Sequence, residues 1–245
     1  MTRPNSTDID LFERGVLARL TGVDCGYGPT TILTGIDFEV RAGEVALVTG
    51  PAAAGKTTLT HLLRLALPPT AGRMAIMGVD VARASARARA NIKRRIGYVA
   101  ENPVFVEQWS ALDNIAMPLK MAKRKPRDYD DDLRELVDFV GLSDAAHLTV
   151  AKLSGAERRV AAIARALASK PDLILADDPT AGMSPDEGRR IVRLLAEMRR
   201  VGAGVVIASQ DESLGDCAPI LRWRIECGRV LPVDHPAPEE AEALE

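Results

Sequence analysis

The amino-acid sequence predicts an α/β protein built on a mixed sheet. From residue 44 onward, apolar runs of strand length alternate with helix-like segments, a pattern that favours parallel strands joined by right-handed crossovers. Earlier in the chain, residues 36–40 alternate apolar and polar side chains, as a half-buried antiparallel strand does. The chain should therefore begin with an antiparallel sheet and continue as an α/β unit.

Glycine, proline and capping residues separate the predicted elements. Gly72 follows a Pro-Pro pair that breaks the chain after the first helix, and Gly141 ends a later helix. Ser154 is predicted to cap the helix that follows it. Strands are predicted at residues 16–23, 36–40, 44–49, 73–77, 96–100, 173–176, 205–208 and 220–230, and helices at 58–65, 83–95, 128–140, 155–169 and 185–200.

The two ends of the chain differ in character from the rest. Residues 1–15 are polar and are predicted to form a loose N-terminal tail, with no apolar signal core. Residues 232–245 are rich in Pro and Glu and are predicted to form an unstructured acidic tail. The folded domain is therefore expected to span residues 16–231.

Composition argues against several classes of protein. The 245 residues are 47% hydrophobic, enough for a core, and 32 basic residues nearly balance 34 acidic ones. A net charge of −2 and 4% aromatic residues argue against a nucleic-acid partner, which needs a basic field or stacking rings. The basic segment at residues 83–95 is either a solvated helix face or a local nucleic-acid patch.

Cysteine usage and hydropathy indicate where the protein works. The three cysteines form no C-x-x-C pair, which suits a reducing cytosol and indicates neither disulfides nor a zinc site. No apolar run approaches the roughly 18 residues that a membrane span needs. We expect a protein that is soluble by itself and able to dock on a membrane partner.

The loop at residues 50–57 has the pattern G-x-x-x-x-G-K-T between a strand and a helix. Its glycines let backbone N–H groups turn inward toward phosphate oxygens, and the helix dipole favours the anion. Lys56 would meet the β- and γ-phosphates and Thr57 would ligate Mg²⁺. The alternative to a phosphate loop is a turn of small residues that merely joins the strand to the helix. The predicted nucleotide-binding residues here are Gly50, Pro51, Ala52, Ala53, Ala54, Gly55, Lys56, Thr57 and Thr58.

A second polar site follows the apolar residues 173–176. Asp177 and Asp178 come directly after that strand, at the end where open α/β sheets place their chemistry. A carboxylate closing an apolar strand is costly unless a cation or donors meet it. The position of Asp177 therefore predicts a metal contact.

Three motifs in one order carry a family resemblance. The phosphate loop, the stretch L-S-G-A-E at residues 153–157 and the strand ending at Asp177-Asp178-Pro179-Thr180 resemble an ABC-type ATPase subunit over residues 16–231. The resemblance implies the P-loop fold of an ABC nucleotide-binding domain, with an antiparallel N-terminal subdomain and a helical subdomain at about residues 102–168. It implies ATP and Mg²⁺ as cofactors.

The resemblance also assigns roles to single residues. It implies a head-to-tail homodimer in the ATP-bound state, in which Ser154 and Gly155 of one copy meet the γ-phosphate in the other. Tyr27 matches the position that stacks on adenine, the alternative being a turn tyrosine. The implied metal ligands are Thr57, Asp177 and Glu101, and the implied catalytic residues are Asp178, Gln210, Glu101 and Lys56.

Several residues depart from the family pattern. Asp178 replaces a glutamate that polarises water, Glu101 a glutamine and Gln210 a histidine, while Ser184 replaces an aspartate and Ala156 a glycine. General-base help is worth roughly 10² to 10⁴ in rate and depends on reach, so the shorter Asp178 predicts slow hydrolysis. An alternative is a nucleotide-gated clamp that scarcely hydrolyses ATP.

Within the family, residues 94–99, 113–119 and 176–182 look most like the FtsE-type cell-division ATPases, whose membrane partner is FtsX. The LolD lipoprotein-release and MacB types are next. The resemblance implies a protein that is peripheral on the inner face of the cell membrane. Val104, Phe105 and Trp109 are candidates for docking an FtsX-like partner, or for ordinary core packing.

Overall fold

The computed structural model describes residues 13–233, which form two sheets with helices packed around them. The strands are β1 Val16–Tyr27, β2 Thr30–Arg41, β3 Val45–Thr49, β4 Ala71–Ile76, β5 Val79–Asp80, β6 Ile96–Val99, β7 Leu173–Asp177, β8 Gly204–Ser209, β9 Leu221–Glu226 and β10 Arg229–Pro232. The α-helices are α1 Lys56–Leu63, α2 Ala86–Arg94, α3 Ala111–Ile115, α4 Met117–Met121, α5 Asp130–Val140, α6 Gly155–Leu167 and α7 Pro185–Glu197.

The N-terminal strands form the predicted antiparallel sheet, in the order β2-β1-β4-β5. Strands β1 and β2 are each 12 residues long, longer than predicted, because pairing continues to Tyr27 opposite Thr30. Their inward faces are fully apolar, with Val23, Leu33 and Ile36 completely buried. Each such side chain contributes about 1.5–3 kcal/mol through burial.

The second sheet is mixed and has the order β10-β9-β3-β8-β7-β6. All neighbours from β9 to β6 pair in parallel, whereas β9 and β10 form an antiparallel hairpin around Gly228. Because β3, β8, β7 and β6 run parallel and lie side by side, their carboxyl ends meet at one edge. The segments leaving these ends carry the phosphate loop, Gln210, Asp177 and Glu101.

Helices α3 to α6 lie between β6 and β7 in the chain and share one hydrophobic cluster with α7. Helix α6 lies directly on β6, since a Cβ at Gly97 would fall 2.5 Å from the carbonyl oxygen of Ala166. The N-terminus of α6 is held by a capping box, in which Ser154 and Glu157 bond each other's backbone N–H groups. This confirms Ser154 as an N-cap.

Residues of both predicted tails take part in the folded domain. The Glu13 carboxylate, ahead of β1, accepts hydrogen bonds from Arg19 and Arg41, and Pro232 in β10 pairs with Trp223. The rest of the two predicted tails, residues 1–12 and 234–245, lies outside the described residues. Helix α2 carries the basic segment on exposed surface, as a solvated face would.

Candidate functional site

The phosphate loop joins β3 to α1 through two glycines with positive φ. Gly55 has φ +109°, and a Cβ there would lie 2.7 Å from Leu33, while Gly50 has φ +155° and approaches the carbonyl of Ile225. Any larger residue at Gly55 would meet both backbone strain and a clash. Packing against β2 and β9 thus holds the loop between these two glycines.

Lys56 is the first residue of α1 and is buried beneath the loop. Its ammonium donates hydrogen bonds to the carbonyl oxygens of Gly50 and Pro51, both at 2.8 Å. Burial lowers the pKa of Lys56, while the carboxylates of Asp178, Asp177 and Glu101 oppose that shift. An ammonium has three donors, so one remains for an anion beside the loop.

Asp177 ends β7 next to α1 and is 3% exposed. Its Oδ1 accepts from the Thr57 hydroxyl at 3.2 Å, and its Oδ2 accepts from Thr60 and Tyr98 at 3.4 Å. A hydroxyl and a carboxylate facing each other provide the oxygen ligands that Mg²⁺ requires. The donor set therefore fits the predicted ion.

Asp178 follows in the left-handed region, with φ +43°. Its N–H donates to the carbonyl of Ala208 at 2.8 Å, and its Oδ1 accepts from the Ser209 hydroxyl at 3.3 Å. A non-glycine residue in this conformation is strained and is kept there only by its surroundings. Here the neighbouring strand β8 holds the Asp178 carboxylate at the edge of the sheet.

A cavity of about 360 Å³ at this edge brings most of the predicted residues together. It is lined by Tyr27, Ile32, Ala52, Ala53, Gly55, Lys56, Thr57, Thr58, Glu101, Asp177, Asp178 and Gln210. Gly50 and Pro51 do not line it but accept hydrogen bonds from Lys56 through their carbonyl oxygens, and Ala54 packs against the core. One cavity therefore combines cationic and amide donors with three carboxylates.

Tyr27 stands at one end of the cavity, where β1 stops. Its ring is 49% exposed, and its hydroxyl lies 3.2 Å from Nδ1 of His61 on α1. Burial, and then the nearby Arg64, lower the pKa of His61, so its ring is neutral near pH 7. An exposed aromatic face held in place at the mouth of the cavity is suited to stacking on a flat base.

Ser154 and Gly155 do not line this cavity. Both are exposed at the start of α6, and Gly155 instead lines a separate pocket of about 350 Å³ that also includes Glu101. The Ser154 hydroxyl bonds Glu157 in the capping box described above, and a Cβ added at Gly155 would meet open space. Within one chain they remain apart from the phosphate loop.

The predicted docking residues separate into buried and exposed groups. Phe105 is only 9% exposed and packs in the core beneath α6, with the Arg165 guanidinium 4.5 Å from its ring centre. The prediction that Phe105 offers docking surface is therefore wrong, because core packing takes its ring. Val104 is 83% exposed and Trp109 is 42% exposed, so the core-packing alternative does not account for these two.

The sequence did not point to Ile32 in the lining, to His61 beside Tyr27, or to Thr60, Tyr98 and Arg159. Thr60 lies one turn beyond Thr57 on the same face of α1, a spacing that offered a signal. Tyr98 lies in β6 and reaches Asp177 only because β6 pairs with β7. Arg159 on α6 bonds loops beside the cavity, and nothing local in its sequence indicates this.

The helices of the structure were compared with the length and hydropathy of membrane-spanning helices. Across residues 13–233, no helix has both the length and the apolar character needed to cross a membrane.

Comparisons with known proteins agree with this geometry. The family model for ABC transporters matches residues 33–181. The lipoprotein-releasing system ATP-binding protein LolD of Hyphomonas neptunium is 36% identical over 201 residues, 80% of this chain and 88% of the relative. LolD 2 of Caulobacter vibrioides is 36% identical over 189 residues, 76% and 83% of the two chains.

A solved structure has the same architecture. The ATP-binding cassette MJ0796, a dimer in a post-hydrolysis state bound to ADP and Pi, matches with a TM-score of 0.77 and 25% identity, covering 87% of this chain and 96% of that one. The fold is that of an ABC nucleotide-binding domain, whose nucleotide is ATP together with Mg²⁺. The chain belongs to the ABC transporter family as one of its ATP-binding subunits.

Proposed function

We propose that this chain hydrolyses ATP as a homodimer and couples closure of that dimer to a membrane permease. The observation that carries the proposal is the convergence of Lys56, Thr57, Asp177 and Asp178 on one cavity. A cation, a hydroxyl and carboxylate pair, and a further carboxylate are the groups that phosphoryl transfer to water needs. They come from two distant parts of the chain.

For binding, each group has a separate task. Lys56 uses two donors on the loop carbonyls and presents the remaining one to the β- and γ-phosphates. The backbone N–H groups of the loop and of the first turn of α1 that are not bonded within the loop would face the phosphates. Tyr27 stacks on the adenine, held by His61.

For hydrolysis, Asp178 orients a water and accepts its proton, and Gln210 donates a hydrogen bond to the γ-phosphate. Thr57 and Asp177, with Glu101, would hold Mg²⁺, which would neutralise phosphate charge. Asp178 is one methylene shorter than a glutamate, and a carboxylate at Glu101 repels phosphate. Both features support slow turnover. The clamp, in which ATP occupancy alone carries the signal, is the second candidate.

The homodimer completes the site. Ser154 and Gly155 are exposed at the N-terminus of α6 and lie outside their own chain's cavity. In a head-to-tail pair they would add a hydroxyl, an amide and a positive helix end to the γ-phosphate of the other copy. The MJ0796 cassette, a dimer bound to ADP and Pi, supports a dimeric form of this chain.

Steady-state phosphate release by the purified chain tests the enzyme proposal. Wild type should release phosphate from ATP only with Mg²⁺, and Lys56→Ala should abolish release because it removes the cation at the phosphates. Turnover equal to the Lys56→Ala background, combined with intact ATP binding, would favour the clamp. Absence of ATP binding by wild type would contradict both candidates.

The membrane partner is the finer part of the proposal. Two relatives named for a lipoprotein-releasing system favour that role, and the FtsX-like cell-division partner remains the alternative. Either role puts the chain on the cytoplasmic face of the membrane, docked through exposed residues near Val104 and Trp109. No nucleic-acid partner is proposed.

Depletion of the chain in its own cells separates the two roles. Lipoprotein release predicts lipoproteins retained in the inner-membrane fraction of a density gradient, with normal septation. Cell division predicts filaments with normally sorted lipoproteins. Substituting Trp109→Ala should reproduce the same defect while leaving ATP affinity unchanged, and Phe139→Ala, another exposed aromatic site, is the matched control.

A further inference from the structure

Arg159 joins two loops that border the ATP cavity. It lies one turn into α6, and its Nη1 donates to the carbonyl oxygens of Ala100 at 3.3 Å and Glu101 at 2.6 Å. Its Nη2 donates to the carbonyl of Ala181 at 3.4 Å. The first two carbonyls follow β6, and the third follows β7. One planar guanidinium therefore links the segments that leave two neighbouring strands.

The held carbonyls are close to the proposed catalytic carboxylates in the chain. Glu101 is itself one of the bonded residues. Ala181 is bonded in turn to Asp178, since its N–H donates to the Asp178 carbonyl at 3.2 Å. Arg159 thus acts on both carboxylates through the backbone, since its hydrogen bonds within residues 13–233 go to backbone carbonyls and not to either side chain.

The positive charge of Arg159 also supports a role beside the catalytic carboxylates. Arg159 is half-buried, and burial lowers its pKa, while the carboxylates of Asp178 and Glu101 oppose that shift. The cavity lining includes one basic side chain, Lys56, and three carboxylates. A guanidinium beside Asp178 and Glu101 offsets part of this negative charge, which would otherwise repel the phosphates.

Arg165 offers a natural comparison on the same helix. Its Nη1 donates to the carbonyl of Val104 at 2.7 Å, and its guanidinium stacks on Phe105. Burial alone lowers its pKa, with no carboxylate contributing. Arg165 therefore holds the segment after β6 at Val104, which does not line the cavity, and within residues 13–233 no hydrogen bond of its side chain reaches the loop after β7.

We propose that Arg159 is a positioning residue for ATP hydrolysis, which holds the loops of Glu101 and Asp178 at fixed positions relative to each other. The inference rests on the proposed ATPase function. By holding both loops on α6, Arg159 also ties the helix that begins with Ser154 to the catalytic edge of the sheet. A movement of α6 would then shift the positions of both carboxylates.

Steady-state kinetics of three variants provide the first test. Arg159→Met keeps the length of the side chain but removes its donors, and kcat should fall about 10- to 100-fold because both carboxylates lose their placement. KM for ATP should rise, but by no more than about threefold, because the lost positive charge weakens binding only slightly while Lys56 and the phosphate loop are untouched. Arg159→Lys keeps the charge but cannot bond both loops at once, so its kcat should lie between those of wild type and Arg159→Met. Arg165→Met is the control, with kcat near wild type.

Amide hydrogen exchange provides a second test that does not need turnover. Arg159→Met should speed exchange in peptides covering residues 100–104 and 179–184, whereas Arg165→Met should speed it only in the first. Unchanged exchange at residues 179–184, or an equal fall in kcat for Arg165→Met, would overturn the proposal. Wild-type turnover at the Lys56→Ala background would refute the ATPase function alone, and exchange would still decide the role of Arg159.

Discussion

The hydroxyl of Thr57 lies 3.2 Å from Oδ1 of Asp177, although 120 residues separate them in the chain. Thr57 is in the first turn of α1, and Asp177 is the last residue of β7. The contact arises because β7 lies beside β8, which lies beside β3, and the phosphate loop leaves the end of β3. The order of strands in the sheet thus creates the proposed magnesium site.

Asp177→Asn should weaken Mg²⁺ activation of ATP hydrolysis at least about 10-fold, because it replaces a charged oxygen ligand by a neutral amide. The concentration of Mg²⁺ for half-maximal turnover measures the effect. Asp172→Asn is the control, since Asp172 lies at the opposite end of β7 and pairs with Arg95 at 2.7 Å. Equal Mg²⁺ dependence in the two variants would argue against Asp177 as a ligand.

Asp178→Asn should lower turnover about 10²-fold or more while ATP affinity is retained, because it removes the proposed proton acceptor. Asp178→Glu should raise turnover, since the longer side chain reaches further into the cavity. Single-turnover phosphate release, with ATP affinity measured separately, distinguishes chemistry from binding. A slower or unchanged Asp178→Glu variant would show that the short carboxylate does not limit the rate.

Gly97→Ala should destabilise the fold by about 1–3 kcal/mol, because its Cβ would lie 2.5 Å from the backbone oxygen of Ala166. Gly188→Ala in α7 is the matched control, with its nearest contact at 3.4 Å, and it should be neutral or stabilising by up to about 1 kcal/mol. Urea unfolding of both variants measures the difference. Equal midpoints would contradict the close packing of α6 on β6.

Cys25 should resist alkylation in the folded protein at pH 8, while exposed Cys227 reacts. Burial raises the pKa of Cys25 to about 11 from 9.0. Folding therefore favours the neutral thiol, so its contribution to stability is complete below pH 9 and declines as pH rises toward 11. Mass spectrometry of iodoacetamide-treated protein, native and in urea, tests this. Rapid labelling of native Cys25 would contradict its burial.

Local patterns in the sequence predicted most of the elements, although not β5, α3 or α4, and much of the site. The spacing of Gly50, Gly55 and Lys56 indicates a phosphate loop because backbone conformation there depends on neighbouring residues. The alternation of apolar residues likewise predicts most strands and helices, with ends wrong by a few residues. Ser154 is recognisable as a cap because the capping box lies within four residues.

Only the tertiary structure decided which distant groups meet. Thr57 and Asp177 come together through strand order, and Phe105 is buried because α6 covers it, so an aromatic pair in the sequence could not reveal which ring is exposed. The two loops joined by Arg159 are 80 residues apart in the chain (101 to 181) and meet because β6 and β7 are neighbours. A motif or a cap depends on residues close together in the sequence. Contacts between loops depend on strand order and on how the crossover helices pack, which local sequence does not specify.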